Sequence, residues 1–210
     1  MRLRSFVFIL LIGLSALPVK SQISPDSINS YLENLENYRQ GRNIKLMYTE
    51  SSPLTADQLK SFKGLKYFPG NINFHVEATL EKSENPETII MKTSTERAPQ
   101  YLKYGYVHFK IDTLNLKLAV YQSKKLVELK EDENTLFMPF RDETTGDETY
   151  GGGRYVDCEI PVSGNMVILD FNKAYNPYCA YNAKYSCVIP PDENRLPIRI
   201  EAGEKLLEEH

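Results

Sequence analysis

The chain has few of the residues that metal sites and nucleophilic catalysis require. It holds three cysteines and three histidines in 210 residues. His75 and His108 lie in strand-like runs, His210 ends the chain, and no motif ties a histidine to a cysteine. The G-x-S-x-G and H-E-x-x-H motifs are absent as well. The sequence therefore indicates no cofactor, no metal and none of the known hydrolase signatures.

Basic residues are slightly fewer than acidic ones. The chain carries 25 Lys and Arg against 28 Asp and Glu, a formal net charge of −3. No stripe of basic residues is interleaved with the aromatic ones. Because a nucleic-acid-binding surface needs a basic footprint on the phosphates, the composition argues against a nucleic-acid partner.

The most prominent apolar run stands at the N-terminus. Residues 5–17 form a 13-residue, mostly apolar stretch after a basic start, and Val19-Lys20-Ser21 precedes Gln22. A helix needs about 20 apolar residues to cross a bilayer, so this run is too short. The pattern predicts a signal peptide over residues 1–21, with an uncleaved membrane anchor as the alternative. No cysteine lies near the proposed cut to carry a lipid.

Cleavage before Gln22 would remove three basic residues and no acidic ones, which leaves 22 basic against 28 acidic residues. The remaining residues 22–210 suit one domain with a sizeable core. We expect an exported, soluble protein, periplasmic or extracellular, with no stable membrane span.

Two helix signals come first in the mature chain. Ser24-Pro25 is a helix start, and an apolar stripe from Ile28 to Tyr38 follows at spacings of three and four, up to Gly41. This stripe is expected to pack on the domain, and recognition of a partner protein is the alternative. A second, short helix is predicted after Thr55-x-x-Gln58, a capping box, with Leu59 and Phe62 facing inward and Gly64 at its end.

From Asn71 the apolar period becomes two, which is typical of strands with one buried face. Residues 104–122 alternate on both sides of Asp112-Thr113 and predict an antiparallel hairpin. Nothing helical separates the strands, so no βαβ unit is indicated. We expect a mainly β (α+β) fold: an antiparallel sandwich or partly closed barrel with one or two N-terminal helices. Strands are predicted at 71–79, 87–95, 126–130, 135–140, 154–160, 166–171 and 197–202.

The cysteines allow several arrangements. Cys179 and Cys187 are eight positions apart and could form a disulfide in an exported protein. Two free buried thiols are the alternative. Cys158 lies in a predicted strand as a small buried residue, although the odd count also allows it to pair with one of the others.

Two loops invite ligand interpretations. The acidic residues 142–148 suggest calcium, but their spacing does not match an EF-hand, and a solvated turn is favoured. Asp142 is expected to tie its own backbone turn.

Gly151-Gly152-Gly153-Arg154 lacks the lysine and helix of a P-loop. A tight turn that aims Arg154 and Tyr155 is favoured there, and an anion-binding arginine remains open.

The last third of the chain carries dense polar and aromatic clusters. They are Phe140-x-Asp142, Thr149-Tyr150, Gly153-Arg154-Tyr155, Leu169-Asp170-Phe171-Asn172, Ala174-Tyr175-Asn176-Pro177, Cys179-Ala180, Pro190-Pro191-x-Glu193-Asn194-Arg195-Leu196-Pro197 and Ala202-Gly203-Glu204-Lys205. These clusters resemble the signature of the DUF1684 family of bacterial and archaeal proteins of unknown function. Residues 52–54 and 62–69 resemble the same family. Because the family name carries no activity, the resemblance supports the choice of residues and not their role.

Two interpretations of these polar residues compete. In the structural one, Arg154 or Arg195 pairs with Asp170, and asparagine side chains satisfy loop backbone. In the functional one, the same groups line a pocket for a small polar or anionic ligand. A third possibility is a hydrolase in which Asp170 or Glu193 is the general base and Arg154 stabilises negative charge. The candidate ligand-binding residues are Asp142, Tyr150, Arg154, Asp170, Asn172, Glu193, Asn194 and Arg195.

Overall fold

A computed structural model of the chain describes residues 24–48 and 50–207. The proposed signal peptide lies outside these residues. The described elements comprise three α-helices and six strands: α1 Pro25–Tyr48, α2 Ala56–Ser61, β1 His75–Ile90, β2 Gln100–Ile111, β3 Leu114–Ser123, α3 Lys124–Glu128, β4 Thr135–Phe140, β5 Arg154–Glu159 and β6 Met166–Asp170.

The six strands form one antiparallel sheet in the order β5-β4-β3-β2-β1-β6. β5 and β6 stand at opposite ends of this order, yet their Cα atoms approach within 8 Å. The sheet therefore curls into a half-barrel, and the expectation of a mainly antiparallel β fold with a helix at the N-terminal side is confirmed.

The alternating residues divide between the two faces of the sheet. Leu118 and Val120 of β3 belong to the main core inside the curl, together with Phe109 and Phe140. Their neighbour Tyr121 belongs to a second apolar cluster, with Ala119, Met91, Tyr155 and Val188. The sheet is thus covered on both faces, and the C-terminal segment supplies part of the outer cover.

The predicted 104–122 hairpin is present as β2 and β3. Ile111 and Leu114 pair across the Asp112-Thr113 turn, where Asp112 adopts a left-handed φ of 52°. The predicted strands at 71–79 and 87–95 contribute to one long strand, β1, which a register shift between Lys82 and Glu87 divides.

Two predicted strands are wrong. Residues 126–130 lie in and after helix α3, which Ser123 caps by accepting a hydrogen bond from the Leu126 N–H. Residues 197–202 form an irregular segment, because buried side chains satisfy its backbone groups where a neighbouring strand would otherwise do so.

Helix α1 begins as predicted and ends later than predicted. Ser24 Oγ accepts the Ser27 N–H at 3.2 Å. The helix passes Gly41 because the next turns make tertiary contacts: Arg42 forms an ion pair with Glu204 at 3.0 Å and Leu46 is buried. α2 has the predicted capping box at Thr55.

The apolar stripe of α1 faces the rest of the domain, as Leu35 is buried and the Tyr31 hydroxyl reaches Asp170. In α2, by contrast, Leu59 is 36% exposed, so its predicted inward orientation is wrong. The short helix holds its place through its cap and through a hydrogen bond from Gln58 to the Tyr181 carbonyl rather than through a buried leucine.

Candidate functional site

Arg154 opens β5 with its side chain wholly buried. Its guanidinium donates to the carbonyls of Ile200 at 2.8 Å, of Ala202, and of Glu204 at 3.3 Å, and it lies 3.5 Å from Asp142 Oδ2. Burial lowers the pKa of Arg154, and the Asp142 carboxylate opposes that shift. Arg154 therefore holds the irregular C-terminal segment in place, and its donors are directed at protein carbonyls.

Asp142 completes this buried network. Its Oδ2 accepts the Ile200 N–H at 2.7 Å and the Thr144 hydroxyl at 2.9 Å. Nearby, Arg199 lies against the acidic loop with its guanidinium 2.5 Å from Glu148 Oε2. Asp147 and Glu148 thus pair with Arg199, whereas Asp142 is buried. Its carboxylate accepts the hydroxyl of Thr144 in its own turn and the backbone N–H of a distant segment, so the expected tie to the backbone of its own turn is wrong.

Asp170 and Asn172 lie together at another place, where α1 crosses the start of β1. Asp170 Oδ1 accepts the Tyr31 hydroxyl at 2.8 Å, and Oδ2 lies 3.4 Å from His75 Nδ1. The Asn172 amide exchanges two hydrogen bonds, of 2.8 and 2.9 Å, with the backbone of Asn71. These groups fasten the helix and the loop before β1 to the end of β6.

The predicted pairing of Arg154 or Arg195 with Asp170 is therefore wrong. Arg154 reaches Asp142 and the C-terminal carbonyls, and Arg195 is exposed. Sequence proximity of charged residues within motifs does not determine which ones meet, because the contacts join segments 139 positions apart, as between Tyr31 and Asp170.

Asn194 substitutes for missing strand pairing. β3 and β4 pair directly at Tyr121 and Phe137. The wholly buried Asn194 amide bridges these strands beyond that point: it accepts the Ala119 N–H at 2.8 Å and donates to the carbonyls of Ala119 at 2.9 Å and Pro139 at 2.8 Å. Its role is structural, as one interpretation of the asparagines predicts.

Glu193 lies on the outer face of the sheet, away from Arg154. Its carboxylate accepts hydrogen bonds from Lys103 Nζ at 2.8 Å and from the hydroxyls of Tyr121 at 2.8 Å and Tyr106 at 3.0 Å. Partial burial raises the pKa of Glu193, but these three donors outweigh it and lower the pKa overall. All three donors stabilise the ionised carboxylate of Glu193.

Arg195 stands beside Arg141, a residue that sequence reasoning did not select. The two backbones form a parallel bridge, with Arg141 N–H donating to the Asn194 carbonyl and the Leu196 N–H donating to the Arg141 carbonyl. Bridge partners project their side chains on the same side. Because the flanking Asn194 and Leu196 are buried, the two arginine side chains point together away from the core.

The glycine turn before β5 packs against this arginine pair. Gly153 has a φ of +89°, and a Cβ there would lie 2.7 Å from the Phe140 carbonyl and 3.2 Å from Arg141 Cγ. A Cβ on Gly152 would collide with the Tyr150 ring at 2.3 Å. Only glycine lets the turn pass so close to the Phe140 carbonyl and to the Arg141 side chain.

The arginine pair stands out by its lack of partners. Seven arginines fall within the described residues, and five of them have side-chain partners. The Arg141 and Arg195 side chains make no hydrogen bond or ion pair with any described residue. The five engaged arginines are Arg39, Arg42, Arg97, Arg154 and Arg199.

Glu204 is a second residue that sequence reasoning missed, although it lies in a family-like motif. Its buried carboxylate accepts the Tyr181 hydroxyl at 2.5 Å and the Asn176 N–H at 2.8 Å, and it pairs with Arg42 at 3.0 Å. Proximity to Glu204 and burial raise the pKa of Tyr181 well above its usual value, with burial the larger cause. The cluster joins α1 to the C-terminal segment.

Cys179 and Cys187 form a disulfide, with Cα atoms 6.1 Å apart, inside the usual range. Cys158 is free and buried on β5, where burial raises the pKa of its thiol to about 12. Across the described part of the chain, no three His, Cys, Asp or Glu side chains are grouped to hold a metal ion. No helix within residues 24–48 and 50–207 is long and apolar enough to cross a bilayer.

Comparison with known proteins identifies the family and no activity. The family described as protein of unknown function (DUF1684) matches residues 60–205. No curated protein matches the chain. The chain is similar to an uncharacterized protein of Haloarcula marismortui solved by solution NMR, with 32% identity, a TM-score of 0.68, and coverage of 87% of this chain and 97% of that one. The chain therefore belongs to the DUF1684 family of proteins of unknown function.

Proposed function

We propose that this protein is an exported, non-catalytic domain that binds a small anionic ligand through Arg141 and Arg195. The observation that carries the proposal is the pair of arginine side chains that project on one side without a partner in the described residues. Guanidinium groups suit this task because their fixed N–H donors match carboxylate and phosphate oxygens in pairs.

The choice of these residues differs from the cluster that the sequence favours. Arg154 and Asp142 are wholly enclosed, and the Arg154 Nη1 and Nη2 groups and the Asp142 carboxylate are bound to protein groups. Asn172 and Asn194 are committed to backbone. Of the candidate residues, Arg195 and Tyr150 keep side-chain donors without hydrogen bonds to the described residues, and Arg141 adds a second cation.

The surroundings favour an anion rather than a neutral ligand. Neither arginine side chain pairs with a carboxylate of the described residues, although the chain as a whole is acidic, with a formal net charge of −3. Holding two like charges side by side is unfavourable, and a bound anion relieves that repulsion. A carboxylate or phosphate group has the charge and the acceptor geometry to do so.

The hydrolase alternative finds no comparable support. Asp170, Glu193 and Arg154, which it combines in one site, belong to three separate hydrogen-bond networks. Export is proposed from the N-terminal pattern, and the disulfide is consistent with an oxidising compartment. Determination of the N-terminal residue of protein recovered from its own cell envelope tests that part: Gln22 is expected, and Met1 would contradict it.

Thermal melting in the presence of inorganic phosphate, citrate or glucose, at matched ionic strength, tests the binding proposal. A ligand at ten times its Kd stabilises the folded state by about 1.4 kcal/mol, which corresponds to a rise in Tm of about 3–6 °C for a chain of this size. We expect phosphate or citrate to produce such a rise and glucose to produce none.

The variant Arg141→Gln/Arg195→Gln provides the specificity test. It is expected to melt like the wild type without ligand and to lose the rise with phosphate and citrate. Lys110→Gln removes an exposed cation of β2 and serves as the matched control. An equal rise in the double variant, or no rise with either anion in the wild type, would overturn the proposal.

A further inference from the structure

A cleft of about 670 Å³ lies between α2 and the segment that follows the first cysteine of the disulfide. This volume falls in the range of small-molecule sites. Phe62 and Tyr181 contribute aromatic rings to its lining, and Ala180 and Leu207 contribute apolar surface. The cleft is distinct from the arginine pair, which lies at the junction of Arg141 with Arg195, and shares no residue with it.

The walls of the cleft are fixed by cross-links between the two segments. Gln58 of α2 donates to the Tyr181 carbonyl at 3.0 Å, and Asn182 donates to the Pro53 carbonyl at 3.1 Å. The disulfide between Cys179 and Cys187 closes the loop that contains Ala180 and Tyr181. A ligand therefore binds to a pre-formed surface. Because few protein groups must become ordered on binding, the entropic cost of binding is small.

The polar groups of the cleft specify the charge of its occupant. The Tyr181 hydroxyl is already engaged by the buried Glu204, so the lining presents the ring rather than a hydroxyl. The charged lining residues are Asp57, Lys63 and Lys66. Asp57 is paired with Lys60 at 2.8 Å and Lys66 has an interaction of its own, whereas the exposed Lys63 makes no ion pair or hydrogen bond with any residue that the structure describes. One unpaired cation therefore stands beside an apolar wall.

We infer that this cleft binds an amphiphilic anion: a small molecule whose aromatic or aliphatic body packs on Phe62, Tyr181 and Leu207 and whose negatively charged group pairs with Lys63. The cavity volume accommodates such a body, and the charge of Lys63 complements its head group. A neutral sugar would leave the apolar wall unused, and a small inorganic anion would leave the cavity unfilled.

The test uses 8-anilinonaphthalene-1-sulfonate, a fluorescent aromatic sulfonate, with the full mature chain. We expect saturable binding with enhanced emission, and displacement of the probe by dodecanoate. Lys63→Gln is expected to weaken binding about threefold to fivefold, the range of an exposed charge pair. Ser61→Trp places a bulky ring in the cleft beside Lys63 and is expected to abolish saturable binding.

Three controls separate the possible outcomes. Lys110→Gln, outside the cleft, is expected to bind the probe like the wild type. Arg141→Gln/Arg195→Gln is expected to bind it equally well, so this proposal and the anion site fail independently. Each variant must retain a cooperative melting transition, because a loosened core also binds this probe. Saturable binding that survives in Ser61→Trp, or that is lost in the arginine variant, would overturn the assignment.

Discussion

Arg154 and Arg195 stand 41 positions apart, and both lie in dense polar motifs. The structure predicts that replacing Arg154 strongly destabilises the fold, whereas replacing Arg195 leaves its stability nearly unchanged. In Arg154→Met the apolar stem is kept, while Asp142 loses its buried partner and the carbonyls of Ile200 and Ala202 lose their donors. Removal of one member of a buried ion pair costs about 3–5 kcal/mol. We therefore expect Arg154→Met to lower the free energy of unfolding by about 4 kcal/mol or more.

Urea denaturation measures this change, with Arg195→Met as the matched control. Because the Arg195 side chain is exposed and has no partner in the described residues, its replacement is expected to change the free energy of unfolding by less than about 0.5 kcal/mol. If Arg154→Met does not fold, Arg154→Lys keeps the charge and is expected to be intermediate. A loss below about 1 kcal/mol in Arg154→Met, with an unchanged m-value, would refute the reasoning.

Three further predictions concern the groups that sequence motifs and structure both single out. Asn194→Ala removes two buried hydrogen bonds to β3 and one to β4, and urea denaturation should show a loss of about 2–4 kcal/mol in the free energy of unfolding. A loss below about 1 kcal/mol would contradict the bridging role. Cys179→Ser/Cys187→Ser should lower the free energy of unfolding by about 2.5 kcal/mol, the chain-entropy estimate for so short a loop. Equal stability of this variant and the wild type without reductant would argue against the disulfide. Glu193→Gln should be less stable than the wild type at pH 7. The folded state lowers the pKa of Glu193, so the difference in stability between wild type and variant is fully present above the pKa of Glu193 in the unfolded chain. It should vanish as the pH falls through the pKa of Glu193 in the folded protein. Melting temperatures of the two proteins that still differ in acid would contradict this.

The strand pattern could be predicted from the sequence because period-two alternation is a local signal. The hairpin at Asp112-Thr113 and the strands near 135–140, 154–160 and 166–171 follow from it. Residues 197–202 carry a similar pattern and yet form no strand. Their backbone is held by Arg154 and Asp142, and this non-local arrangement has no local signature.

The candidate site was harder to predict than the fold. The dense polar motifs contain both arginines, but they do not distinguish the enclosed Arg154 from the exposed Arg195. Arg141 lies between two motif residues, Phe140 and Asp142, and alternation about the buried Phe140 could have placed it on the outer side. Its pairing with Arg195 depends on how two distant segments dock, which only the folded structure shows.

The most direct test of the central claim is an NMR titration that follows the arginine side-chain Nε–Hε signals as inorganic phosphate or citrate is added at constant ionic strength. The account predicts saturable shifts of Arg141 and Arg195, with the Arg154 signal unmoved because its donors are enclosed. Shifts confined to other arginines, or small linear changes of all of them, would contradict an anion site at this pair.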